Sequence, residues 1–144
     1  MLLTVSVVQL ARFTIGLAWI YHGLVPKLLH VAPLEMLMTA SLGFSPQQSL
    51  IITRCAGVAE IILGVALILF YKNRLLIYFS ALNLAALLIF TLIFIPQILV
   101  EAFNPVTTNI PLIVLSFVLL QQTPRQQTRL TGSGECNVHR SSME

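Results

Sequence analysis

The sequence predicts an all-α protein: a four-helix transmembrane bundle with a short interfacial helix between helices 1 and 2. Three observations predict it. The 144 residues are 57% hydrophobic and only 9% charged, with a mean hydropathy of +0.91; a soluble domain carries about 25% charged residues and needs them to clothe its surface. Four apolar runs, at about residues 3–25, 50–71, 75–95 and 109–122, approach the roughly 20 residues a helix needs to cross a hydrocarbon core of about 30 Å. Between the first two lies Pro33-Leu-Glu-Met-Leu-Met-Thr-Ala-Ser-Leu42, too short to span at about 1.5 Å per residue. Residues 1–122 thus form one membrane domain. Residues 123–144 are polar and aperiodic and read as a disordered cytoplasmic tail.

The first run carries Arg12 near its middle and Gly16, Trp19 and Gly23 at spacings of three and four, so these residues share a face. The glycines leave room there for another helix. Trp19 and Tyr21 read as interfacial aromatics. Pro26 weakens the helix, and Lys27 reads as an anchor at the head groups. The short piece begins at Pro33 with Glu35 in its first turn, a helix start, and Gly43 stops it. Ser45-Pro46 opens the second span, on which Ala56, Gly57, Glu60 and Gly64 cluster on one face. The tight turn Tyr71-Lys-Asn-Arg74 makes spans two and three antiparallel neighbours. Asn83 is the strongly polar residue inside the third span, which Pro96 closes. Asn104-Pro105 reads as a turn. Thr107 or Thr108 then caps a fourth span, the shortest, starting near Asn109.

Lysines and arginines orient the bundle. Lys72, Arg74, Arg125, Arg129 and Arg140 fall on the side of both termini; Lys27 and Arg54 fall on the other. The positive-inside rule places both termini in the cytoplasm of a multi-pass protein of the inner or plasma membrane. The N-terminal run lacks the basic start and small-residue cleavage site of a signal peptide.

Glu60 poses the central chemical problem. An isolated carboxylate at mid-membrane costs roughly 2.5 kcal/mol or more, so it must be paired, protonated or hydrated. Arg54, six residues earlier and about 240° around the helix, points elsewhere. Counted from the cytoplasmic ends of the runs, Arg12, Glu60 and Asn83 lie about 13, 15 and 12 Å deep. The expected buried polar site is therefore an Arg12–Glu60 pair with Asn83 adding a hydrogen bond. A second set, His22, Lys27, Arg54, Glu101, Asn104 and Asn109, would line an outer mouth above it. Cys55 and Cys136 form no CxxC, and no GxGxxG, P-loop or HExxH motif occurs. Neither a resident metal nor a nucleic-acid partner is expected.

The stretches RFTIGLAWIYHGLVPKLL, AGVAEIILGVALIL and FNPVTTNIPLIVLSFVLL, over residues 8–120, resemble the DoxX family and its DoxX-like branch. The resemblance rests on Arg12, His22-Gly23 with Pro26-Lys27, the Gly57/Glu60/Gly64 cluster and Asn104-Pro105. It implies a four-helix membrane bundle and a link to quinone-dependent membrane oxidoreductases. The leading reading is an accessory or subunit of a quinone-linked redox system, with quinone as its ligand. Its partners would be the bilayer, a membrane oxidoreductase and a second copy of the chain. The rival readings are a non-enzymatic assembly factor or chaperone and a small transporter; whether the chain is an enzyme stays open.

Overall fold

The computed structural model describes residues 6–100 and 104–140, with side chains described as far as Gln122. Five α-helices lie within them: α1 (Val7–Gly23), α2 (Pro33–Ala40), α3 (Pro46–Leu69), α4 (Arg74–Phe94) and α5 (Pro105–Arg140). A π-helical turn, Leu24–Leu29, continues α1, and a 3-10 turn, Pro96–Val100, follows α4.

Local chemistry accounts for the boundaries. Pro26 has no N–H to donate to the preceding turn, so the chain widens there instead of continuing as α-helix. The His30 N–H reaches the Val25 carbonyl at 3.0 Å, and the Ala32 N–H reaches the Pro26 carbonyl at 2.8 Å. Pro33 starts α2, and Gly43 takes φ +87°, a conformation that favours glycine. Ser45 and Gln48 then form a reciprocal capping box on α3. Asn73 caps α4 by accepting from the Leu75 N–H at 3.0 Å.

The fourth apolar run begins earlier than the sequence suggested. Asn104, not Thr107 or Thr108, is the cap: its Oδ1 accepts from the Thr107 N–H at 3.0 Å, with Pro105 at the first helical position. Starting at Pro105 gives the apolar part 18 residues to Gln122. The backbone continues as helix to Arg140, over the stretch that composition marked as a disordered tail; extending a formed helix costs less than nucleating one.

Three of these helices are long and apolar enough to cross a membrane: α3, α4 and α5 through Gln122. α1, with 17 residues, is shorter, but the π turn prolongs it.

α1 packs between α3 and α5. Its face Val8, Ala11, Ile15 and Trp19 joins Ile77 and Leu84 of α4 and Leu112, Leu119 and Leu120 of α5 in the core. Trp19 Nε1 donates to Ser80 Oγ of α4 at 2.7 Å, a fully buried bond. Its other face carries Gly16 and Gly23 and packs antiparallel on Gly64 and Gly57 of α3. A Cβ on Gly64 would lie 2.5 Å from the Gly16 carbonyl oxygen, and one on Gly57 2.8 Å from that of Gly23. Only glycine permits this approach.

The packing order is therefore α3, α1, α5, α4. The second and third spans, expected as antiparallel neighbours, stand beside each other across a gap. The turn after α3 joins it to α4, yet the two helices touch only sparsely. The glycine face of α1 holds α3, and its branched face packs on α5 and meets α4 at Ser80. A cleft is left between α3 and α4.

Candidate functional site

Glu60 finds its partner on the π turn. Lys27 Nζ donates to Glu60 Oε1, and the same ammonium lies 3.5 Å from Glu35 Oε2 of α2. Lys27 is 6% exposed. Its flexible stem leaves the widened turn, passes the Gly57 position of α3 and places the charge between two carboxylates. A buried ammonium needs such pairing, because desolvation disfavours the charge. One cation faces two acidic groups, and Glu60 Oε2 has no hydrogen-bond partner among the described residues. Burial raises the Glu35 pKa above the usual carboxylate range; Lys27 opposes this, and Glu60 adds to it.

This triad separates two cavities. The first, about 220 Å³, lies among α1, α2, α4 and α5, and its polar lining includes His22, Asn104, Thr108 and Asn109. The second, about 400 Å³, fills the cleft between α3 and α4 and is lined by Thr53, Ala56, Ala59 and Leu63 of α3 and Phe79, Asn83 and Phe90 of α4. Trp19, Lys27, Glu35, Met38, Glu60 and Leu87 line both. Most of either wall is apolar, and the few polar groups converge on one level, as in small-molecule sites.

The structure redistributes the residues expected from the sequence. Arg12 does not pair with Glu60. Its guanidinium lies over the Tyr71 ring, 4.5 Å from the centroid, and over Phe13 at 4.7 Å. The cause is register: Gly16 meets Gly64 and Gly23 meets Gly57, so Arg12 falls near the α3–α4 turn while Glu60 falls toward the C-terminal end of α1. Asn83 shares the second cavity with Glu60 but donates to the Phe79 carbonyl of its own helix at 2.9 Å, not to an Arg12–Glu60 pair. The expected mouth is brought together in part. His22, Lys27, Asn104 and Asn109 line the first cavity. Asn109 donates to the Leu84 carbonyl at 3.4 Å, and Asn104 to that of Leu99 at 3.0 Å. Arg54 is exposed on α3 and lines neither cavity. Glu101 lies outside the described residues. Lys27, expected at the head groups, is instead the centre of the site.

Three further residues carry the site. Glu35 signalled only a helix start, Trp19 looked like a belt residue, and Thr53 gave no signal. Trp19 continues the buried row Val8, Ala11, Ile15 at helical spacing, which marked it as internal. The Thr53 hydroxyl is buried on the second cavity without a hydrogen-bond partner among the described residues. No group of metal-ligand side chains gathers among the described residues.

Chemically, the level offers donors at Lys27, His22 and Asn109, acceptors at Glu60 and Glu35, and a flat aromatic wall at Trp19. It can hold a polar head inside an apolar surround and can exchange a proton with it. No curated protein and no solved structure matches the chain. The sequence pattern of the DoxX-like family matches residues 16–117, which include α2, α3, α4 and the whole Lys27–Glu60 level. With that match and three apolar helices, this is a membrane protein, and the chain belongs to the DoxX-like family.

Proposed function

We infer that the chain is a four-span membrane protein whose Lys27–Glu60 level binds the head group of a quinone-class molecule, as an accessory or subunit of a membrane redox system. Continuity supports the fourth crossing: α1 and the π turn run unbroken from Val7 to Leu29. Arg12 reaches Tyr71, so it joins Lys72 and Arg74 at one end of the bundle. This favours the orientation with that end, and both termini, on the cytoplasmic side.

The observation that carries the reading is a buried ammonium held between two carboxylates at the junction of two apolar cavities. Intramembrane ionisable groups are expensive and are retained where they act. The residues present fit a quinone head. It is a planar ring with carbonyl acceptors, and the first cavity offers Lys27, His22 and Asn109 as donors beside Trp19 in a volume of about 220 Å³. A bound quinone supplies two-electron, two-proton redox chemistry. The chain would supply position and protons: Lys27 and His22 would hold the carbonyl oxygens, and Glu60 and Glu35 would take or deliver protons across the short gap to Lys27. In this reading the redox partner is a separate membrane protein.

The test is purification in mild detergent, followed by mass spectrometry of whatever small molecules and proteins come with the chain, comparing wild type with Glu60→Gln. A quinone retained by wild type and depleted in the variant is the expected result. A protein partner retained equally by both, with no quinone in either, would replace this reading with that of an assembly factor.

A further inference from the structure

The first cavity accounts for a head group, but the larger cavity between α3 and α4 has no task in that account. At about 400 Å³ it reaches the size range of ligand pockets, about 300–1,000 Å³. Its floor is Trp19 of α1, and its inner end is the Lys27–Glu60 pair that the first cavity shares. Its rim is exposed at Ile52 and Ala59 on α3 and at Phe79 on α4. These rim residues lie on the two most apolar candidate spans, so the opening faces hydrocarbon rather than water. The α3 wall is built small at Ala56 and Ala59, while the α4 wall is aromatic at Phe79 and Phe90.

We propose that the α3–α4 cleft is the lateral portal and tail subsite of this site, taking the single hydrocarbon tail of the ligand whose head lies at Lys27 and Glu60. The inference rests on the head-group reading above and adds the route. The same cavity is lined by the triad and by exposed residues of α3 and α4, and this argues for the occupant. An amphiphile whose head reaches Lys27 must lead its tail out somewhere, and the cleft runs from the triad to the lipid-facing side. Lipid tails are as apolar as the cleft, so the subsite adds little binding energy of its own. Its contribution is steric: a tail with no exit keeps its head out.

This predicts a separation that the sole tryptophan can report. Trp19 lines both cavities and is 4% exposed, and quinones quench indole fluorescence. The full chain in detergent micelles is titrated with two probes, dimethoxymethylbenzoquinone without a tail and its decyl-tailed homologue. Wild type is compared with Ala59→Phe, with the milder Ala56→Leu, and with Val58→Phe, which is exposed on α3 and lines neither cavity. The expected result is that Ala59→Phe weakens the tailed probe by about tenfold or more, leaves the tail-less probe within about twofold, and that Val58→Phe changes neither. Ala56→Leu should act in the same sense as Ala59→Phe, and less.

Equal loss of both probes in both cleft variants, or no loss in either, overturns the portal while the head site stands. Failure of both probes to quench wild type removes the head-group reading and the portal with it. Quenching of Trp19 by a phospholipid brominated on its acyl chain, not displaced by the tailed quinone, makes the cleft a lipid-filled seam and also overturns the portal.

Discussion

α3 has two working sides, and they were built by opposite rules. Toward α1 it presents Gly57 and Gly64, and the backbones approach until a single added carbon would strike a carbonyl oxygen. Toward α4 it presents Ala56, Ala59, Glu60 and Leu63, and the helices stand apart around a cavity. In lipid no hydrophobic force draws helices together, so association depends on close packing and polar bonds. The first side uses packing to fix depth and register. The second gives up that contact, and the space contains a charge pair. The difference teaches that the tight seam fixes where Glu60 and Lys27 meet, and the loose one leaves open space beside them.

The largest expected effect comes from breaking the pair at the loose side. Lys27→Met leaves Glu60 buried without its cation, which costs about 3–5 kcal/mol when the charge stays. Thermal unfolding in detergent should fall sharply for Lys27→Met and recover in the double variant Lys27→Met/Glu60→Met, because an apolar pair of similar size is often neutral or better. A double variant no more stable than the single one would mean that Lys27 acts through its stem, packed against Gly57, and not through its charge.

The next effect sets one substitution against itself on the two sides. Gly64→Leu must push α1 away, an overpacking cost of about 1–3 kcal/mol or more. Ala59→Leu adds a side chain to open space and should stay within about 0.5 kcal/mol. Similar losses in the two variants, measured by the same unfolding assay, would erase the distinction between the sides.

Much of this was legible in the sequence, and the missed parts share one cause. The start of α3 could be read because caps are local: Ser45-Pro46 acts within a turn of itself, whereas Asn73 and Asn104 read only as turn residues and their capping role emerged with the structure. That Glu60 needed a partner was legible too, from the cost of its charge. Which partner was not, because depth counted from the ends of apolar runs assumes that every helix starts at the same level. α1 starts at Val7, and its depth is set by the glycines. Gly16 and Gly23 are spaced as Gly57 and Gly64 are, and antiparallel alignment of the two pairs places Arg12 beside Ile68 and Tyr71, and Gly23 beside Glu60. The π turn was beyond local reading. Pro26 marks a break, but only packing against α3 turns the chain so that Lys27 points inward.

The smallest expected effect concerns α2, which shares in both cavities through Glu35 and Met38. α2 buries no residue completely, so its docking depends on a few partial contacts. Lys27 of the π turn and Glu60 of α3 are the charged groups facing Glu35, and His22 of α1 shares the first cavity with it. Burial, with Glu60 adding to it, raises the Glu35 pKa against the pull of Lys27, so the docked state binds the proton more tightly than the undocked one. The sign follows from linkage: where the docked state holds more protons, stability falls as pH rises. Docking should be firmest below the ordinary carboxylate pKa and should weaken as pH climbs through the raised value. Hydrogen exchange of the α2 amides, corrected for the intrinsic pH dependence of exchange, should show protection declining over that interval. In Glu35→Gln, neutral at every pH, the decline should vanish with protection held at the acid level. A variant that loses protection at every pH would show instead that the Lys27–Glu35 attraction outweighs burial, and that α2 is held by charge rather than despite it.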